Sequence, residues 1–287
     1  MTPLRFTTLL GIAFVQYAMR YLVILPVMRS QSIELLLSDL AFLCLVLSTI
    51  CIATAGFIKE TKRITTNIIF AAAGLLLGAY AVTNAGFPNL ILTCVAITIM
   101  ALTYQFAYRQ QFLVGNIIVA LFFALVPMMT LLDLLPVIIF HGRWDLNLDL
   151  AVFWISGTSL FIFLSVLSCE IMKDTEDFEN DNVTCDTRSF PFVMGATYAK
   201  WTIIGINTTV IALLVLLYCL FFRYIIGWLS FFYILLLLIV PITYINIKIH
   251  KAVVGVDYRH AAKIMKLVML AGICYSGLLI IAQSCCK

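Results

Sequence analysis

The sequence predicts an all-α integral membrane protein, a polytopic bundle of about nine transmembrane helices built as one domain over residues 1–287. Three observations predict it. Hydrophobic residues make up 63% of the chain and charged ones only 11%, against about 25% charged in ordinary soluble domains. The mean hydropathy is +1.10. The apolar residues also gather into stretches of roughly 20, the length that crosses a ~30 Å hydrocarbon core.

The first stretch, 6–28, is too long for a cleavable signal segment, is interrupted by Arg20 and is followed by no small-residue cleavage site. The second, 35–58, stops where a basic run begins at Lys59. The third and fourth, 67–84 and 88–107, are divided only by the short Gly86–Pro88 segment. The fifth covers 112–134, and the sixth, 148–169, ends at an acidic run. The seventh and eighth, 200–222 and 224–247, are divided only around Phe222–Gly227, and the ninth covers 264–283. Several carry an internal Gly or Pro, which transmembrane helices tolerate. No low-complexity stretch, Ser/Gly linker or repeat suggests a second domain.

Lys and Arg orient the chain. With nine spans and the N-terminus inside, thirteen basic residues fall on the inner side, among them Lys59, Lys62, Arg63, Arg109, Lys173, Arg188 and Lys200. Only Arg29, Arg143, Arg223 and Lys287 fall outside. Cytoplasmic loops carry the excess of Lys and Arg, so the N-terminus and the acidic run are expected in the cytoplasm. The net charge of +4 then reflects topology and anionic lipid. No aromatic-and-basic surface motif points to nucleic acid.

Six of the fourteen acidic residues lie between Glu170 and Asp181. Glu170, Asp174, Asp177 and Asp181 are spaced i, i+4, i+7 and i+11, which on a helix makes one stripe about 16 Å long. Carboxylates stacked this way repel by a few tenths of a kcal/mol per pair and call for solvent, a basic partner or a cation. Oxygen ligands suit a hard ion, and Mg²⁺ is commonly held by a few carboxylates plus substrate phosphates. A solvated acidic loop is the plainer reading.

Other candidates are weaker. The nine cysteines are scattered without a C-x-x-C pair and read as small buried hydrophobes. His141, His250 and His260 are isolated from one another. The Asn182-Val183-Thr184 sequon lies on the expected cytoplasmic side, which argues against glycosylation. Arg20, a costly charge within a span, either faces a cavity or snorkels to the outer face. The Phe and Tyr residues could line an apolar tunnel, but most are expected to pack or to form an interface belt.

Extended to Gly195, the acidic run resembles the second aspartate-rich motif of the UbiA family of membrane prenyltransferases. Glu170, Ile171, Lys173, Asp174, Glu176, Asp177, Asp181, Arg188, Pro191 and Gly195 fall in register with that motif, while Asn180, Ser189 and Phe190 depart from it. Tyr104 through Arg109, followed by Gly115, Asn116 and Ile117, is similar to the family's Tyr-Ser-x-x-Leu-Lys…Gly-Asn segment, with Arg109 in the lysine's place. Nine spans with the acidic motif after the sixth also match the family's nine-helix fold.

The resemblance implies transfer of a prenyl chain from a prenyl diphosphate to a lipid-soluble or amphiphilic acceptor, aromatic or of glyceryl-phosphate type, within the membrane. It implies Mg²⁺ held by Asp174, Asp177 and Asp181 with Glu170 in support. It implies phosphate contacts from Lys173, Arg109 and Arg188 and a substrate-binding place for Asn116. The family's first motif, Asn-Asp-x-x-Asp-x-x-x-Asp, is missing. The lead-in Ala55-Gly56-Phe57-Ile58 is present, but Lys59-Glu60-Thr61-Lys62-Arg63 follows, and no aspartate occurs between Asp39 and Asp133. Lys59, Lys62 and Arg63 could supply the diphosphate with positive charge directly. They could instead pair with the acidic stripe and abolish metal binding, or simply anchor the loop on the inner leaflet. The runner-up function is a non-catalytic paralogue that binds an isoprenoid lipid or a partner protein. A transporter ranks third, because no pair of broken helices in matching halves is evident.

Overall fold

The computed structural model describes residues 3–30, 35, 37–57, 64–104, 111–135, 137–138, 146–179, 189–219, 228–252 and 254–277. They form helices α1 (Pro3–Met19), α2 (Leu25–Ser30), α3 (Asp39–Phe57), α4 (Ile64–Asn84), α5 (Ile91–Thr103), α6 (Val114–Met128) and α7 (Leu146–Glu179). After these come α8 (Phe190–Met194), α9 (Ala196–Leu217), α10 (Trp228–Tyr233), α11 (Val240–Lys251) and α12 (Gly255–Cys274).

Among the described residues, seven helical stretches are long and apolar enough to cross a membrane, which makes this an all-helical, multi-pass membrane protein. Of the nine stretches expected, the fourth corresponds to the shorter apolar helix Pro88–Thr103. The ninth overlaps α12, whose first twelve residues carry Asp257, Arg259, Lys263 and Lys266 and make it too polar to count as a span.

Among the described residues, the π-helical turns Arg20–Ile24 and Ile234–Ile239 interrupt the α ladder. The first joins α1 to α2, and the second joins α10 to α11. Each is followed two residues on by a proline, Pro26 or Pro241. A proline inside a helix lacks the N–H for its own bond and crowds the carbonyl four residues back, which lies within the π turn in both cases.

The chain divides into two compact units, Met1–Arg109 with Phe122–Ser159, and Gln110–Leu121 with Leu160–Lys287. In the first, α3 and α4 pack together closely. A Cβ at Gly74 would stand 2.8 Å from Ile52 and 3.1 Å from the Ser48 carbonyl, so only glycine allows this approach. The Ser48 hydroxyl uses it to donate to the Gly74 carbonyl at 2.6 Å. The core beside this contact is built from Leu37, Phe42, Leu45, Val46, Val82 and Leu132.

Arg20 resolves inward. It is 1% exposed, lies 4.2 Å above the Phe42 ring and donates to the Leu37 carbonyl at 2.8 Å. It pairs with Asp39 at 3.2 Å and with the buried Asp133 at 3.6 Å. A snorkelling arginine would have kept its head in water.

In the second unit, hydrogen bonds tie three helices together. The Ser168 hydroxyl of α7 donates to Asn207 Oδ1 of α9 at 2.7 Å, and Asn207 Nδ2 donates to Asn246 Oδ1 of α11 at 2.8 Å. Helix α12 runs antiparallel to the later part of α7. Gly272 lies against the Phe161 ring, Cys169 Sγ meets the Ala262 carbonyl at 3.8 Å, and Arg259 reaches Glu176.

Candidate functional site

Helix α7 holds the acidic run. It is 34 residues long, about 51 Å at 1.5 Å per residue, whereas the hydrocarbon core needs only about 20 residues. The residues from Glu170 onward therefore extend the sixth span as helix and do not form a loop, at least to Glu179. The Thr175 hydroxyl, fully buried, donates back to the Ile171 carbonyl at 2.7 Å within this extension.

The helical frame sorts the carboxylates. Glu170, Asp174 and Asp177 share one face, whereas Glu176 lies two residues from Asp174 and so about 200° round the helix. Asp174 Oδ2 accepts a hydrogen bond from Asn116 Nδ2 at 2.7 Å. Asp177 is exposed. Glu170 is taken by Lys173, whose Nζ donates to its Oε1. On the other face, Glu176 Oε1 accepts from Arg259 Nε of α12 at 2.5 Å. Beside Arg259, the Tyr258 phenol is fully buried. Its own burial, then the charges of Glu179 and Asp257, push it up to about 12.

Two further segments close on this end of α7. Phe112, at φ +24, forms an isolated parallel bridge with Ser189, and its ring lies 5.2 Å from that of Phe190. Phe178 meets Phe192 of α8 edge to face at 6.4 Å. Gly195, at φ +86, turns the chain from α8 into α9, a conformation that favours glycine.

The structure thus brings Asn116, Glu170, Lys173, Asp174 and Asp177 to one place. Asp181, Arg109, Arg188, Lys59, Lys62 and Arg63 lie outside the described residues. Among the described residues, no group of three or more His, Cys, Asp or Glu side chains is gathered to hold a metal ion. Of the described carboxylates on the stripe, Asp174 and Asp177 are not engaged in an ion pair. Two carboxylates suit a Mg²⁺ that arrives with its own phosphate ligands better than a resident ion in a protein cage. Sequence reasoning missed Arg259 as the partner of Glu176. The motif spacing gave no signal for it, because the two are 83 residues apart and the helix turns Glu176 away from the stripe.

No family model matches the chain, and neither curated proteins nor solved structures yield a match.

Proposed function

We propose that this chain is an intramembrane prenyltransferase of the UbiA type, with nine spans, the N-terminus in the cytoplasm and its diphosphate site at the cytoplasmic end of α7. The observation that carries the reading is the 2.7 Å hydrogen bond between Asn116 and Asp174. It joins the two stretches of sequence that resemble the family, which are 58 residues apart along the chain. In the proposed reaction the allylic carbon–oxygen bond breaks and diphosphate leaves with the electron pair. The acceptor's nucleophilic atom forms the new bond and releases its proton to solvent.

Asp174, Asp177 and Asp181 would hold Mg²⁺, with Glu170 in support, and the bound ion supplies positive charge to the departing diphosphate. Asn116 fixes the Asp174 carboxylate in one orientation. Lys173, Arg109 and Arg188 donate to phosphate oxygens, and Lys59, Lys62 and Arg63 add the charge that the absent first motif does not.

The test is a Mg²⁺ titration of purified protein with and without a prenyl diphosphate. Asp174→Asn with Asp177→Asn should weaken Mg²⁺ binding by at least about tenfold, or about 1.4 kcal/mol. Equal affinity in the two proteins would sink the assignment. A second reading, a non-catalytic isoprenoid-binding paralogue, is favoured by the ion pairs Glu170–Lys173 and Glu176–Arg259, which engage two of the carboxylates internally. On that reading no prenyl diphosphate and acceptor turn over, and prenyl diphosphate binds independently of Mg²⁺.

A further inference from the structure

One end of the second unit carries a belt built by three helices, and its charge is one-sided. The exposed residues of α9 include Tyr198 and Trp201 near its start and the apolar Val215 and Leu216 further along. On α11 they run the other way, from Val240, Tyr244 and Ile247 to His250 and Lys251. On α12 the exposed Arg259, Lys263 and Lys266 give way to Leu267 and Leu270. Three elements therefore change from polar or aromatic to lipid-like at the same end. Aromatic residues concentrate where bilayer meets water.

The three starting points are joined. Trp201 packs edge to face on His250 at 5.8 Å, and Lys200 Nζ donates to the Ala252 carbonyl at 2.5 Å. The exposed Val254 precedes α12, and the exposed Val256 lies in its first turn. On α12, Tyr258, Ala261, Ala262 and Met265 form the buried face, which leaves the basic stripe pointing outward.

Three carboxylates of this unit, Glu170, Glu176 and Asp257, are engaged in ion pairs. Lys173 pairs with Glu170, Lys248 with Asp257 at 3.9 Å, and Arg259 with Glu176. Lys251, Lys263 and Lys266 are exposed and make no ion pair among the described residues.

We propose that Lys251, next in sequence to the His250 of the Trp201–His250 aromatic pair, and Lys263 and Lys266 on the exposed face of the adjoining α12 form a docking surface for the headgroups of anionic phospholipids. Charge complementarity identifies the occupant: three unpaired ammonium groups beside aromatic and aliphatic side chains fit a lipid that offers a phosphate anion above an acyl chain. The interaction stands independently of the prenyltransferase reading.

The experiment reconstitutes the full chain in vesicles of zwitterionic phosphatidylcholine containing brominated phosphatidylglycerol or, in parallel, brominated phosphatidylcholine. Comparison with Trp201→Phe isolates the fluorescence of Trp201. Trp201 should be quenched several-fold more effectively by the brominated anionic lipid, and high salt should remove the preference. In Lys251→Gln, Lys263→Gln, Lys266→Gln the preference should fall close to one, while helicity by circular dichroism is unchanged. Equal quenching by the two lipids in the native protein overturns the proposal. So does a preference that persists in the triple variant. Loss of the preference with millimolar inorganic phosphate, at constant ionic strength, would assign the lysines to a free phosphate and overturn the lipid surface.

Discussion

A single arginine shows how far one residue can constrain a fold. Arg20 and Asp133 are each 1% exposed and face each other at 3.6 Å, while Asp39 on the same guanidinium is 88% exposed. Removing one member of a buried pair strands the other charge, which costs about 3–5 kcal/mol, whereas replacing both with apolar groups of similar size is often neutral. Asp133→Ala should therefore lower unfolding stability in detergent by about 3–5 kcal/mol. Arg20→Met combined with Asp133→Leu should recover most of that loss, and Asp39→Asn should cost no more than about 1 kcal/mol because its carboxylate is solvated. Denaturant unfolding of the four proteins checks the order. Should Asp133→Ala be as stable as the native chain, the pair does not contribute as drawn. The sequence marked Arg20 as unusual and left its direction open. The direction depended on Asp133, whose place 113 residues on becomes meaningful only once α6 ends in its 3-10 turn Met129–Asp133.

At the scale of elements, hydropathy located the spans better than it located their ends. Apolarity stops at Cys169, yet α7 continues as helix to Glu179 because nothing in Ile171–Glu179 breaks one. Lys, Glu and Met are good helix formers, and neither Gly nor Pro intervenes. The acidic spacing was legible for that reason, and so was the shared face of Glu170, Asp174 and Asp177. The polar links between helices were not legible, since Asn207 reads in sequence as one amide in an apolar run. In the structure it is fully buried and bonded on both sides, to Ser168 and Asn246. Asn207→Val leaves both partners without it, and the expected cost is about 1–2 kcal/mol. Ser168→Ala removes one bond from the end of the chain and should cost about 0.5–1 kcal/mol. Unfolding in mixed detergent micelles should rank them in that order. If Asn207→Val proves the milder change, the three-helix link is not what holds these elements.

For the whole molecule, composition decides the class and charge decides the expected orientation. A chain that is 63% hydrophobic must satisfy its backbone bonds internally within lipid, and seven apolar helices do so among the described residues. Which side each end faces follows from a different quantity. Thirteen Lys and Arg are expected on the inner side and four on the outer, and a translocated segment crowded with Lys and Arg is the disfavoured arrangement. Single cysteines placed at 182 and at 143 in a cysteine-depleted variant separate the alternatives. An impermeant thiol reagent applied to intact cells should modify position 143 and spare position 182. Permeabilised cells should then react at both. Modification of 182 from outside would reverse the orientation, and the acidic end of α7 would then face away from cytoplasmic diphosphates. The same reversal would turn the lysines of α11 and α12 away from the anionic cytoplasmic leaflet. The labelling pattern therefore bears on two separate surfaces of the second unit, each of which needs the inward orientation for a different chemical reason.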